Sequence, residues 1–122
     1  DWNNDGWVDF VVSVNNGKMK LFENNPDVSN QLNSLKLRLS YAQGNPNGVG
    51  SKVSVIMEDG TVQSDEVSAG GSYLSQSSPD LFFGVGLEKK IKSINVRWPD
   101  GKETVNEYKK GENIINISRN AN

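Results

Sequence analysis

The 122-residue chain carries 13 Lys and Arg against 15 Asp and Glu, a formal net charge of -2, and 34% hydrophobic residues. That length supports one compact domain with a modest addition, and the acidic balance supplies no cationic field for nucleic acid or an anionic membrane. No run approaches the roughly 18 apolar residues of a membrane span, and the absence of Cys and His removes disulfides, the commonest metal ligand and the commonest general base.

The chain opens Asp1-Trp2-Asn3-Asn4-Asp5-Gly6-Trp7-Val8-Asp9, with oxygen-bearing side chains at positions one, three, five and nine around a glycine. Calcium takes about six to eight oxygen ligands, and a loop that curls through Gly6 can aim alternate side chains inward while a backbone carbonyl fills a gap. The expected ligands are Asp1, Asn3, Asp5, the Trp7 carbonyl and Asp9. Position twelve is Val12 and not a bidentate Glu, and strand follows where an EF-hand would have helix, so the loop is not an EF-hand. The alternative is an Asx-rich turn without metal, since Asp, Asn and Gly favour turns in their own right.

Val8, Phe10, Val12 and Val14 then share one face with Asp9 and Ser13 opposite, the period of a half-buried strand. Asn16-Gly17 is a strong short hairpin signal and predicts an antiparallel return over residues 18–23. Residues 26–33 are polar and proline-broken, which predicts a linker between a hairpin unit at 1–25 and a second unit at 34–119. In that unit Leu35, Leu37 and Leu39, then Val53, Val55 and Met57, then Ile94, Val96 and Trp98 share parity within their runs. Asp59-Gly60 and Asp100-Gly101 reverse the chain, residues 61–67 lack a full apolar face and read as an edge strand, and a last strand is expected over 113–118. The pattern predicts an all-β, antiparallel sandwich with little helix.

Five motifs in order, Leu35-Lys36-Leu37-Arg38-Leu39, Gly48-Val49-Gly50-Ser51-Lys52-Val53, Gly71-Ser72-Tyr73-Leu74-Ser75-Gln76, Leu81-Phe82-Phe83-Gly84-Val85-Gly86 and Val96-Arg97-Trp98-Pro99-Asp100-Gly101, resemble the ASPIC/UnbV domain over about residues 33–118. The opening D-x-N-x-D-G-x-x-D resembles the calcium loop of FG-GAP/VCBS repeats, the blades of integrin-type propellers, which commonly precede that domain in exported proteins such as cartilage acidic protein and bacterial surface relatives. The resemblance implies an immunoglobulin-like sandwich behind the end of a propeller blade, with further propeller repeats and an export signal upstream and an extracellular, cell-surface or periplasmic location. Phe82 stands where relatives often carry His, so no role of that imidazole transfers. The family supplies no enzymatic mechanism to carry over.

Ser72, Ser75, Ser77 and Ser78 lie near Tyr73 and Asp80, but no His is available to activate a hydroxyl. Asp65-Glu66 and Glu58-Asp59 are read as solvated edge charges and turn formers, because adjacent strand residues face opposite ways and a glycosidase needs two carboxylates in one cleft. Trp98 is expected in the core by parity. The irregular stretch 68–80 offers Ser72, Tyr73 and Gln76 as a candidate binding loop, against a structural role in which Tyr73 and Leu74 plug one end of the sandwich. The functional expectation is a non-enzymatic, calcium-binding adhesion or interaction module with a protein or glycan ligand. The rival readings are a carbohydrate-binding module, a structural cap of a propeller, and an accessory piece of a hydrolase.

Overall fold

The computed structural model describes residues 1–25, 32–86 and 89–120. Its strands in chain order are β1 (Phe10–Val12), β2 (Lys20–Phe22), β3 (Leu32–Ser40), β4 (Lys52–Met57), β5 (Val62–Glu66), β6 (Leu81–Gly86), β7 (Ile91–Arg97), β8 (Glu103–Glu107) and β9 (Ile114–Ser118). Among the described residues no helix is long and apolar enough to cross a membrane.

Strands β3 to β9 form a β-sandwich. One sheet has the order β6-β3-β9 and the other β5-β4-β7-β8. Parity does the sorting: Leu35, Leu37 and Leu39 face Val53, Val55 and Met57, and Ile94, Val96, Leu81, Phe83, Val85 and Ile117 join them in one cluster. Each such burial removes a side chain from water at about 1.5–3 kcal/mol. Trp98, 2% exposed, closes one side of the core. Its ring stacks on Tyr41 with centroids 5.5 Å apart, and its indole N–H donates to the Thr104 hydroxyl at 2.9 Å.

The hairpins fall where the turn dipeptides put them. At Asp59-Gly60 the Thr61 amide donates to Asp59 Oδ1 at 2.8 Å and the Met57 amide to the Thr61 carbonyl at 2.9 Å. β5 is the edge strand expected of residues 61–67. One expectation fails: the sandwich is not wholly antiparallel, because β9 runs parallel to β3, with Lys36 opposite Ile114 and Ser40 opposite Ser118. After β8 the chain crosses from one sheet to the other, and a crossover connection, unlike a tight hairpin, permits a parallel neighbour.

β1 and β2 pair with each other alone, Phe10 opposite Phe22 and Val12 opposite Lys20. The turn between them needs glycine for room and not for φ: a Cβ on Gly17 would sit 2.9 Å from Val14 Cγ1, while the positive φ of 56° falls on Asn16. The expected half-burial of β1 is corrected, since every residue of both strands is exposed. Among the described residues no third strand pairs with the hairpin, so the apolar parity of β1 produced a strand without a core. The expected linker at 26–33 lies outside the described residues as far as 31, and its last two positions, Leu32 and Asn33, open β3.

Candidate metal loop and the surface beside it

Residues 1–9 fold on their own side-chain oxygens. Asn3 Oδ1 accepts from the Asp5 amide at 3.1 Å and Asp5 Oδ1 from the Trp7 amide at 2.8 Å, two successive Asx turns. Asn4 and Gly6 take positive φ values of 58° and 88°, and a Cβ at Gly6 would meet nothing within 4 Å, so backbone conformation and not crowding is what asks for glycine there. The curl brings the Gly6 amide to Asp1 Oδ1 at 3.3 Å.

The five expected ligands form two groups. Asp9 ties the ends of the unit together, accepting from the Trp2 amide at 2.6 Å and the Asn24 amide at 2.8 Å. Those amides, Asn24 first, hold its carboxyl below the usual carboxylate range. On the other side the Asn3 amide group donates to Asp5 Oδ2 at 2.7 Å and to Glu23 Oε1 at 2.9 Å. Trp7 contributes its amide to Asp5. Among the described residues no group of three acidic side chains lies close enough to share one ion in this conformation. The donor chemistry nonetheless suits a hard divalent cation, being all oxygen within nine residues, and a cation already stands against it: the Lys36 ammonium lies 2.5 Å from Asp1 Oδ2.

Lys36 belongs to β3 and to the parity expected to face water, yet it is 4% exposed. The amino-terminal loop lies over it. Its ammonium also reaches Asp80 Oδ2 at 3.4 Å and sits 5.8 Å from the centroid of the Phe82 ring. Asp80 in turn takes a bidentate pair from Arg38, both N–H···O distances 2.8 Å, and that guanidinium above all holds its carboxyl below the ordinary range. Lys36, Arg38 and Glu23 are therefore neighbours of the candidate loop that sequence reading missed, and Asp80, weighed there only beside the serines, joins them. For Glu23 a signal existed: one step beyond the Phe10–Phe22 pair, the hairpin register sets it across from Asp9.

A cleft of about 590 Å³ separates the hairpin from the sandwich, with Trp2, Val11 and Leu21 on one wall and Gln76 and Phe82 on the other. The candidate binding loop borders it. Ser72 and Ser75 form a short bridge, and between them Tyr73 and Leu74 are 91% and 89% exposed. This corrects the reading of those two side chains as a plug, because the tight turn leaves both of them almost wholly in water. Gln76 holds the loop's base, its Oε1 accepting from the Gly70 amide at 3.0 Å and its Nε2 donating to the Ser77 carbonyl at 3.1 Å. Of the carboxylates weighed for catalysis, Asp59 is drawn to about 2 by the Thr61 hydroxyl and amide and then by Lys89, a turn former and not a proton donor.

No curated protein matches the chain. The sequence profile of the ASPIC and UnbV family, by contrast, matches residues 41–122, which takes in every strand of the sandwich except β3. The motifs beginning at Gly48, Gly71, Leu81 and Val96 all fall inside that span, and with two thirds of its length so matched the chain belongs to the ASPIC and UnbV family.

Proposed function

We propose that this chain is a non-catalytic, calcium-binding adhesion or interaction module from the carboxyl-terminal part of an exported multidomain protein. Residues 1–25 are read as the end of an FG-GAP/VCBS blade, following upstream repeats of the same parent. The sandwich is read as immunoglobulin-like, on its seven strands split three and four between two sheets. The observation that carries the proposal is the oxygen-only loop of residues 1–9 with a buried ammonium seated on its first carboxylate. Asp1, Asn3, Asp5, the Trp7 carbonyl and Asp9 would hold the ion, which supplies positive charge to offset clustered carboxylates and fix the loop.

A chain without His or Cys, whose clustered carboxylates are engaged by amides and cations, favours a binding role over an enzymatic one. The docking surface is assigned to Ser72, Tyr73 and Gln76 beside the cleft, for a protein ligand. A sugar-stacking platform is the weaker reading, because Trp98 is buried. Calcium titrated calorimetrically into chelator-treated protein should bind with a Kd of about 10⁻⁴ to 10⁻³ M, the range of extracellular modules. Asp5→Ala should abolish the heat. No calcium heat in the wild-type protein, with Asp5→Ala indistinguishable from it, overturns the reading.

A further inference from the structure

We infer that Lys36 is a built-in counter-cation of the amino-terminal loop, so that calcium and the sandwich compete for the Asp1 carboxylate. The inference rests on the calcium reading above and adds what regulates that site.

The charges around Lys36 leave it dependent on Asp1. The side chains of Lys36, Asp1 and Asp80 are 5%, 2% and 4% exposed, so all three are out of water. Asp80 is already satisfied by the Arg38 guanidinium, which reaches both of its oxygens at 2.8 Å, whereas its contact with Lys36 is 3.4 Å. The shorter contact, 2.5 Å, is to Asp1. If Asp1 turns to a metal, two cations are left sharing one carboxylate in a dry site, and an uncompensated buried charge is costly.

Asp1 differs in this from the other carboxylates of its loop. Asp5 engages only neutral N–H groups, those of Asn3 and Trp7, while Asp9 accepts from the Trp2 and Asn24 amides and has the terminal ammonium of Asp1 at 3.8 Å, a looser contact than the one at Lys36. These hydrogen bonds leave oxygen lone pairs free for an ion, and at Asp5 no positive charge need be expelled. On Asp1 a positive charge is already in place, and a divalent ion arriving there meets repulsion until the ammonium withdraws. Coupling between sites is reciprocal: whatever affinity Lys36 takes from calcium, bound calcium takes from the grip of the sandwich on the loop.

Two measurements test this. Lys36→Met keeps the aliphatic stem and removes the charge, and it should bind calcium about tenfold more tightly than wild type by titration calorimetry. In the wild-type protein, saturating calcium should raise the rate at which Lys36 is acylated by an amine-reactive reagent several-fold, read by mass spectrometry of the Lys36 peptide. This second arm uses the native chain and stands even if Lys36→Met does not fold. Equal or weaker calcium binding by a folded Lys36→Met, or an acylation rate at Lys36 unchanged by bound calcium, overturns the competition while leaving the calcium reading intact. Absence of calcium binding in wild type removes both.

Discussion

In β1, Phe10 and Val12 share one parity and remain 59% and 39% exposed; in β4, Val53 and Val55 share one parity and are fully buried. The difference lies outside either strand. β4 has β5 and β7 on its flanks and a second sheet over its face, whereas β1 has only β2. A two-stranded hairpin alone is marginal in water. This one is held by a Phe10–Phe22 stack at 4.8 Å, by Asp9 clasping the Trp2 and Asn24 amides, and by the Asp1–Lys36 contact with the sandwich. One region of the molecule is stabilised by its core and the other by polar ties at its ends.

The largest effect expected from that contrast is at Trp98. Trp98→Ala removes a buried ring, its stack on Tyr41 and its hydrogen bond to Thr104, and should cost about 3–5 kcal/mol of global stability in chemical denaturation. Phe10→Ala removes an aromatic ring from the hairpin and should shift the same transition by less than about 1 kcal/mol, because the ring is mostly in water already. Similar losses for the two would mean that the hairpin and the sandwich unfold as one unit.

Much of the sandwich was legible because one physical cue, period-two alternation closed by Asn-Gly or Asp-Gly, sufficed for β3, β4, β7 and the turns. What it cannot encode is what lies on top. Lys36 has the parity of a wet residue and is buried by the amino-terminal loop, 35 residues before it. The same blindness hides the parallel course of β9, since parity is identical in either direction. In the metal loop the ambiguity is chemical: the oxygens of Asn3 and Asp5 that cap their own turns are those a calcium ion would use, so the pattern serves both readings. The family match begins at 41, yet the structural unit begins earlier, because Leu35, Leu37 and Leu39 of β3 form the middle of one sheet and part of the core.

Acid should separate the two regions next. The Arg38 guanidinium lowers the folded-state pKa of Asp80, so the stabilisation from this carboxylate is fully present above its unfolded value of about 3.9 and is lost as pH falls through the folded value. Asp80→Asn should cost about 2–3 kcal/mol near neutral pH and flatten the acid limb of the stability curve, the gap to wild type closing as the wild-type carboxyl protonates. Asp9 is also lowered, but by the Asn24 and Trp2 amides of its own unit. Asp9→Asn should accelerate hydrogen exchange at those two amides while leaving the global transition nearly in place. A global loss from Asp9→Asn equal to that from Asp80→Asn would erase the distinction between the units.

The smallest effect concerns Leu74, which carries a positive φ of 55° at the tip of the candidate binding loop. That backbone region disfavours a side chain with a Cβ by about 1–2 kcal/mol, and glycine escapes the clash at some cost in unfolded-state entropy. Leu74 is 89% exposed and contributes nothing to the core, so no packing is lost when it goes. Leu74→Gly should therefore raise stability by about 0.5 kcal/mol, seen as a small upward shift of the thermal transition. The same substitution removes half of the exposed Tyr73–Leu74 pair, so a variant that is more stable and binds its ligand less well would indicate that the strain is kept for display. Stability lowered by Leu74→Gly would place unrecognised packing at the tip and return the loop to a structural role.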